Sequence, residues 1–215
     1  MKLFFLITII FFVSVIYSQS YNIGLPLIDN IEPVEYGYES QNYSIIQDRR
    51  GVMYFGNLNG VLEYDGSFWR LINISGIPRL AYGYDNRIYV GGYNEFGYLG
   101  TDEKNKIIFK SLIDKNKEEH QFGHIKEVIS LDNEIVFYTD SKIYRWKNNI
   151  VEVIDSSESF FNVHQVNDKL FISKRNTGII NYVHNGFDTL PNSQLLKNHI
   201  VTEILPYDEN KLLIY

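Results

Sequence analysis

The 215-residue chain holds 20 basic and 26 acidic residues, a formal charge of −6 at pH 7, and that acidic balance disfavours a nucleic-acid surface. Hydrophobic residues make up 45% of it, with 17 Tyr and 14 Phe, which excludes a disordered chain and weights the fold towards strands. It has no cysteine, so thiol catalysis, thiolate metal sites and disulfide staples are excluded.

The first predicted element is a leader. Lys2 precedes an apolar run over residues 3–16 interrupted only by Thr8 and Ser14. A spanning helix needs about 20 apolar residues, so this run has the length of a signal-peptide core. Ser18 supplies a small residue at the −1 position, which puts cleavage before Gln19 and the protein outside the cytoplasm; an uncleaved anchor is the alternative. Residues 1–18 are thus read as a signal peptide, 19–41 as an irregular entry segment marked by Pro26 and Pro33, and 42–215 as the folded body. No second apolar run is long enough to cross a bilayer.

Residues 47–69 then pack three turn signals into 23 positions: Asp48-Arg49-Arg50-Gly51, Asn57-Leu58-Asn59-Gly60 and Asp65-Gly66. Asn-Gly and Asp-Gly supply the positive φ angles of tight hairpins. The runs between them are rich in Val, Ile, Tyr, Phe and Trp and predict strands over 42–47, 52–56, 61–64 and 67–72. Residues 52–55 are apolar at successive positions, so both faces of this small meander must be buried. It needs copies of itself on either side. Trp69 is expected to lie buried between two such sheets.

The unit recurs. Turns at Asp85-Asn86, Asp132-Asn133, Asn167-Asp168 and Asp208-Glu209-Asn210 each precede a strand of buried type, beginning at residues 88, 135, 170 and 212. Third strands follow at 96–99, 142–146 and 178–182, and outer strands at 107–112, 150–154 and 187–190. Spacings of 47, 35 and 42 residues with four strands per unit are the mark of a β-propeller blade; a β-sandwich is the competing reading. The fold class is therefore all-β, with four four-stranded antiparallel blades and the start of a fifth. The charged segment 114–119 is a linker between the second and third blades. Because residues 211–215 fall in the second strand of a fifth blade, the sequence is expected to be the N-terminal fragment of a longer protein. A four-bladed ring closed by residues 22–41 is the alternative.

No catalytic constellation emerges. His120 and His124 have a helical metal-ligand spacing, but the intervening Gln-Phe-Gly breaks a helix, and His164, His184 and His199 fall singly in other repeats. Tyr64-Asp65-Gly66-Ser67-Phe68-Trp69 is similar to the Asp-box of sialidases, whose Asp holds a turn and performs no chemistry. Arg49, Arg50, Arg70, Arg79, Arg87, Arg145 and Arg175 are not paired by sequence into a carboxylate clamp. GxGxxG, GxSxG, HExxH and P-loop patterns are absent. Asn42-Tyr43-Ser44 and Asn73-Ile74-Ser75 match the N-glycosylation pattern, which bears on a eukaryotic secretory host alone. Neither enzyme activity, nor a cofactor, nor a metal is expected.

Residues 41–72 resemble the two-component regulator propeller repeat, in the form found in Bacteroidetes sensors that carry a triple-tyrosine motif. The resemblance runs through Gln47, Asp48, Gly51, Tyr54, Gly56, Asn57, Gly60, Tyr64, Asp65, Gly66 and Trp69. Residues 88–99 look like the second repeat, and residues 24–28 with Glu35-Tyr36 like the entry segment. These are structural residues; they carry no ligand site. The resemblance implies a non-catalytic, ligand-sensing periplasmic propeller, with a small-molecule or oligosaccharide ligand and no nucleic-acid contact in this region. It further implies a homodimeric full-length protein, with a triple-tyrosine domain, a membrane anchor and a histidine-kinase or DNA-binding output beyond residue 215. A secreted glycan-active enzyme and a surface adhesion or scaffold module are the alternatives. N-terminal sequencing of the native protein is expected to begin at Gln19, and recovery of intact Met1 from the cytoplasm would overturn the export reading.

Overall fold

Turns built on Asn, Asp and Gly cut the chain into short hairpin strands. The computed structural model describes residues 28–113, 121–155, 159–174, 176–183, 186–208 and 211–215. The leader with its cleavage point, the linker 114–119, His120, Arg175, His184, Glu209 and Asn210 lie outside them. The chain divides into two units, Met1–Glu32 and Pro33–Tyr215. Residues 28–32 of the first carry no helix or strand.

The second unit is a series of antiparallel meanders. The first sheet comprises β1 (Asn42–Gln47), β2 (Met53–Asn57), β3 (Gly60–Tyr64) and β4 (Trp69–Ile72). The second comprises β5 (Arg79–Tyr82), β6 (Ile88–Gly91), β7 (Phe96–Thr101) and β8 (Ile107–Ser111). The third runs through β9 (Glu127–Leu131), β10 (Glu134–Tyr138), β11 (Lys142–Lys147) and β12 (Ile150–Asp155). The fourth runs through β13 (Phe160–Val166), β14 (Lys169–Lys174), β15 (Gly178–Val183) and β16 (Gly186–Thr189). β17 (Ile204–Asp208) and β18 (Lys211–Ile214) form a two-stranded sheet. The helical content of the described residues is two single turns, α1 (Pro33–Tyr36) and a 3₁₀ turn at Ser193–Leu196. This is the β-propeller architecture, four blades and part of a fifth, that the repeat predicts.

The core lies between sheets. Tyr54, Val61 and Ile72 of the first sheet pack on Leu80, Ile88, Val90 and Leu99 of the second. Tyr89 and Phe96 then meet Ile135, Phe137 and Tyr144. Val136, Tyr138 and Ile143 meet Leu170, Ile172 and Ile180. Phe171 and Ile179 meet Val201 and Ile204. Every residue of β10 is buried, as a strand covered on both faces requires. Inner strands are also tied across the interfaces: Ser44 Oγ donates to the Pro78 carbonyl at 3.1 Å, and Asn162 Nδ2 to the Val201 carbonyl at 2.9 Å. A Cβ at Gly56 would collide with that same Pro78 carbonyl, so the first interface requires glycine there.

Three expectations are corrected. Met53 and Phe55 are only half-buried, because they alternate to the face that the second sheet does not cover, and Val52 is half-buried at the edge of the cluster on the covered face. Trp69 is likewise half-buried and lies on the opposite face from the second sheet. Its cross-strand partner is Tyr64, whose neighbour Glu63 alternates to the covered face. Its ring stacks on Tyr64 at 4.4 Å, with Tyr36 at 5.0 Å and Phe55 at 5.4 Å. The final strand, expected to be buried, alternates instead: Leu212 and Ile214 are half-buried while Leu213 is exposed.

Residues 22–27 of the entry segment, on which closure of a four-bladed ring would draw, lie outside the described residues. Asn57, fully buried, donates to the carbonyls of Glu39 at 2.6 Å and Gln41 at 3.2 Å and to Asn42 Oδ1 at 2.9 Å, and accepts from the Asn59 amide at 3.0 Å. Residues 39–42 are thereby fastened to the first sheet, and β18 pairs with β17 alone. If the core lies between blades, Ile172→Ala (0% exposed) costs about 2–5 kcal/mol of unfolding free energy in urea. The same change at Ile45 (57% exposed, on the open face) stays within about 0.5 kcal/mol. Equal losses would sink the assignment of faces.

Candidate functional site

In an antiparallel meander the first and third turns share one end. At that end of the first two sheets, aspartates close the turns. Asp48 Oδ1 accepts from the amides of Arg50 at 2.8 Å and Val52 at 3.1 Å. Asp65 Oδ1 accepts from Ser67 at 3.0 Å and Phe68 at 2.8 Å. Asp85 accepts from the Arg87 amide at 3.2 Å, and Asp102 from Lys104 and Lys106, both at 2.8 Å. Partial burial alone would raise the Asp48 carboxyl, but hydrogen bonds from Arg50 and Val52 outweigh it and hold it below the ordinary range. The Phe68 and Ser67 amides do the same for exposed Asp65. These carboxylates are engaged with backbone.

The motif residues build the first blade and do not converge. Gln47 Nε2 donates to the Gly51 carbonyl at 3.1 Å beside Asp48, and Gly51 adopts φ +85°. Gly56, Asn57 and Gly60 lie at the other end of the sheet, around the second hairpin. Tyr64 donates to the Gly66 carbonyl at 3.0 Å across the Asp65 turn, next to Trp69.

A different set converges. Where the first turns of four blades meet, Arg49, Tyr84, Asp132 and Asp168 line a shallow cleft of about 310 Å³ together with Tyr82 and Ser130. Arg49, Asp132 and Asp168 are exposed, and none has an ion-pair partner among the described residues. A second cleft of about 310 Å³ runs outward between the first two sheets and shares Arg49 and Tyr82. Its floor is Tyr54, Ile88, Leu99 and Ile107, and its rim adds Arg50 and Arg87. Arg50 pairs with Asp48 at 2.7 Å and donates to the Tyr54 hydroxyl at 3.1 Å. Arg87 sits 3.5 Å from Asp85 and 4.7 Å over the Tyr98 ring. Burial, and then the charge of Glu63, push the Tyr54 hydroxyl up to about 12, so it stays protonated at neutral pH.

Other polar groups serve the interfaces. Arg145 and Glu134 form a buried pair at 2.6 Å, with Glu152 at 3.1 Å. Glu63 is buried with Arg70 at 3.7 Å and one carboxylate oxygen without a hydrogen bond; burial raises its proton affinity against the pull of Arg70. His164 is buried with its Nδ1 3.8 Å from Glu203, and burial lowers its pKa against Glu203. His124 and His199 are exposed, the former with its ring 4.8 Å from Tyr93. On the inner edge, Arg79 donates to the Tyr43 carbonyl at 3.0 Å, and burial raises Glu127 despite Arg79 nearby. Among the described residues, no three His, Asp or Glu side chains are grouped to hold a metal.

Sequence reasoning named Arg49, Asp132 and Asp168 singly and missed their meeting; Tyr82, Tyr84 and Ser130 it missed altogether. The repeat register carried the signal, because equivalent turns of a propeller fall on one rim.

No family model matches the sequence, and no curated protein does. Solved structures do. A streptogramin B lyase matches with TM-score 0.55 and 13% identity over 84% of this chain and 62% of its own. The WD40 β-propeller domain of Doa1 matches with TM-score 0.54 and 13% identity over 80% and 63%. An extracellular domain assigned to the hybrid two component system BT3049 of B. thetaiotaomicron matches with TM-score 0.54 and 16% identity over 82% and 26%. The chain spans less than two thirds of each of these structures. At these identities the likeness is one of fold, and the fold is a β-propeller.

The raised Glu127 carboxyl sets a pH test. Its folded-state pKa lies above the unfolded value, so ionising it opposes folding, and stability is gained as pH falls through the folded value. Glu127→Gln is therefore expected to melt higher than the parent at neutral pH. The gap should close towards about pH 4, in the ordinary glutamate range. A pH-independent gap in thermal denaturation would contradict the shift.

Proposed function

We propose that the chain is the extracytoplasmic ligand-sensing propeller of a membrane-bound signal-transduction protein, non-catalytic in this region. The cleft at the meeting point of four turns carries the reading. It gathers one guanidinium and two carboxylates that have no ion-pair partner among the described residues, with the exposed Tyr84, from four different blades. A rigid scaffold that presents free polar groups on turns suits recognition rather than turnover. Hydroxyls can donate to Asp132 and Asp168 and accept from Arg49, while a sugar face stacks on tyrosine. An oligosaccharide is thus the ligand class that this cleft fits.

The apolar leader and the likeness of residues 41–72 and 88–99 to sensor repeats support export. The fold likeness to an extracellular domain assigned to a two component system accords with it. A ligand bridging several blades ties their turns together, and that stiffening is what an output segment following the propeller would read. The output is a histidine kinase or a DNA-binding regulator, in a homodimeric protein anchored in the membrane.

Thermal unfolding of the natural full-length protein against neutral cello-, malto-, xylo- and manno-oligosaccharides tests the reading. A cognate ligand at a hundred times its Kd stabilises by about 2.7 kcal/mol. Asp168→Asn should abolish that gain without lowering the melting temperature of the free protein. A shift that survives Asp132→Asn together with Asp168→Asn would move the site elsewhere.

A further inference from the structure

We infer that the outer cleft, between the first and second sheets, binds a small organic carboxylate through Arg49, with the apolar body of the ligand on Tyr54, Tyr82, Ile88 and Leu99. This rests on reading the turn-bearing end as the ligand face and adds the chemical class that its outer part selects.

Three guanidinium groups border the cleft, and two are already matched: Arg50 by Asp48 at 2.7 Å and Arg87 by Asp85 at 3.5 Å. Arg49 has no such partner among the described residues and stands at the junction of both clefts. A carboxylate matches its planar fork with two parallel hydrogen bonds. The floor is apolar and aromatic, so it rewards a carbon skeleton and offers nothing to a fully hydrated inorganic anion. A volume of about 310 Å³ is at the lower end of small-molecule sites.

Asp132 and Asp168 fix the direction. They line the cleft that shares Arg49 with this one and repel an anionic group from it, turning the carboxylate outward. The opposite end of the ligand, if it bears hydroxyls, then reaches them as a donor. The whole chain carries −6, so capture of an anion is local, by one exposed guanidinium, and screened by salt.

A sugar acid and an aromatic acid share this chemistry, and titration calorimetry on the natural full-length protein separates them. Sodium D-glucuronate, D-glucose and sodium phenylacetate are the probes. At least one carboxylate should bind, more than tenfold tighter than D-glucose, and more weakly as sodium chloride rises. Binding of glucuronate alone identifies a sugar acid, and of phenylacetate alone an aromatic acid. Arg49→Gln should weaken that binding by about ten- to a hundredfold, with an unchanged melting temperature, whereas Lys197→Gln, exposed beside the 3₁₀ turn and outside both clefts, leaves it intact. Equal binding of D-glucose and glucuronate, an unaltered Arg49→Gln variant, or binding of neither carboxylate overturns the inference. The neutral oligosaccharide shift, lost in Asp168→Asn, stands or falls separately.

Discussion

Face-to-face packing of sheets is the constraint on which the rest depends. Residues such as those of β6, β10 and β14 are apolar at consecutive positions, so neither face of their sheet tolerates water. Each sheet can be stable only with a neighbour on both sides, and a radial stack of meanders meets that demand. The four apolar clusters sit between sheets, not at one centre. Where a neighbour is lacking, exposure follows at once: Ile45 on the first sheet and Leu213 on β18 are open to water.

The turns are the second element of the design, and their chemistry divides the aspartates into two groups. Asp48, Asp65, Asp85 and Asp102 accept from amides of their own turns, and this holds each hairpin in the register that its sheet requires. Asp132 and Asp168 stand on equivalent turns without ion-pair partners among the described residues. Structural and candidate binding groups thus share one rim and are told apart by what their oxygens contact.

Among the described residues, the buried Glu63, Glu134 and Arg145 lie at the interfaces, each within 4 Å of an opposite charge. The Arg145–Glu134 pair is surrounded by the third and fourth sheets, where an unmatched ion would cost several kcal/mol. Rigidity at the interfaces lets exposed groups from separate blades keep a fixed spacing, which a binding face needs. The propeller fold itself assigns no ligand. The functional reading rests on Arg49, Tyr84, Asp132 and Asp168.

The sequence by itself determined the strands, the turns and their repetition, because hydrophobic runs and Asn, Asp and Gly signals act over a few residues. The second, third and outer strands of each blade could be read from it within two or three residues. The inner strands β5, β9, β13 and β17 could not, since no Asn-Gly or Asp-Gly hairpin signal stands directly before any of them in the sequence. Tertiary structure alone decided which face of a strand is covered. Trp69 reads as an inter-blade residue by composition, yet cross-strand alternation turns it to the open side beside Tyr64 and Tyr36. It alone decided the site as well: Arg49, Tyr84, Asp132 and Asp168 span about 120 positions of chain. Only the closing of successive blades around an axis brings such distant turns to one rim.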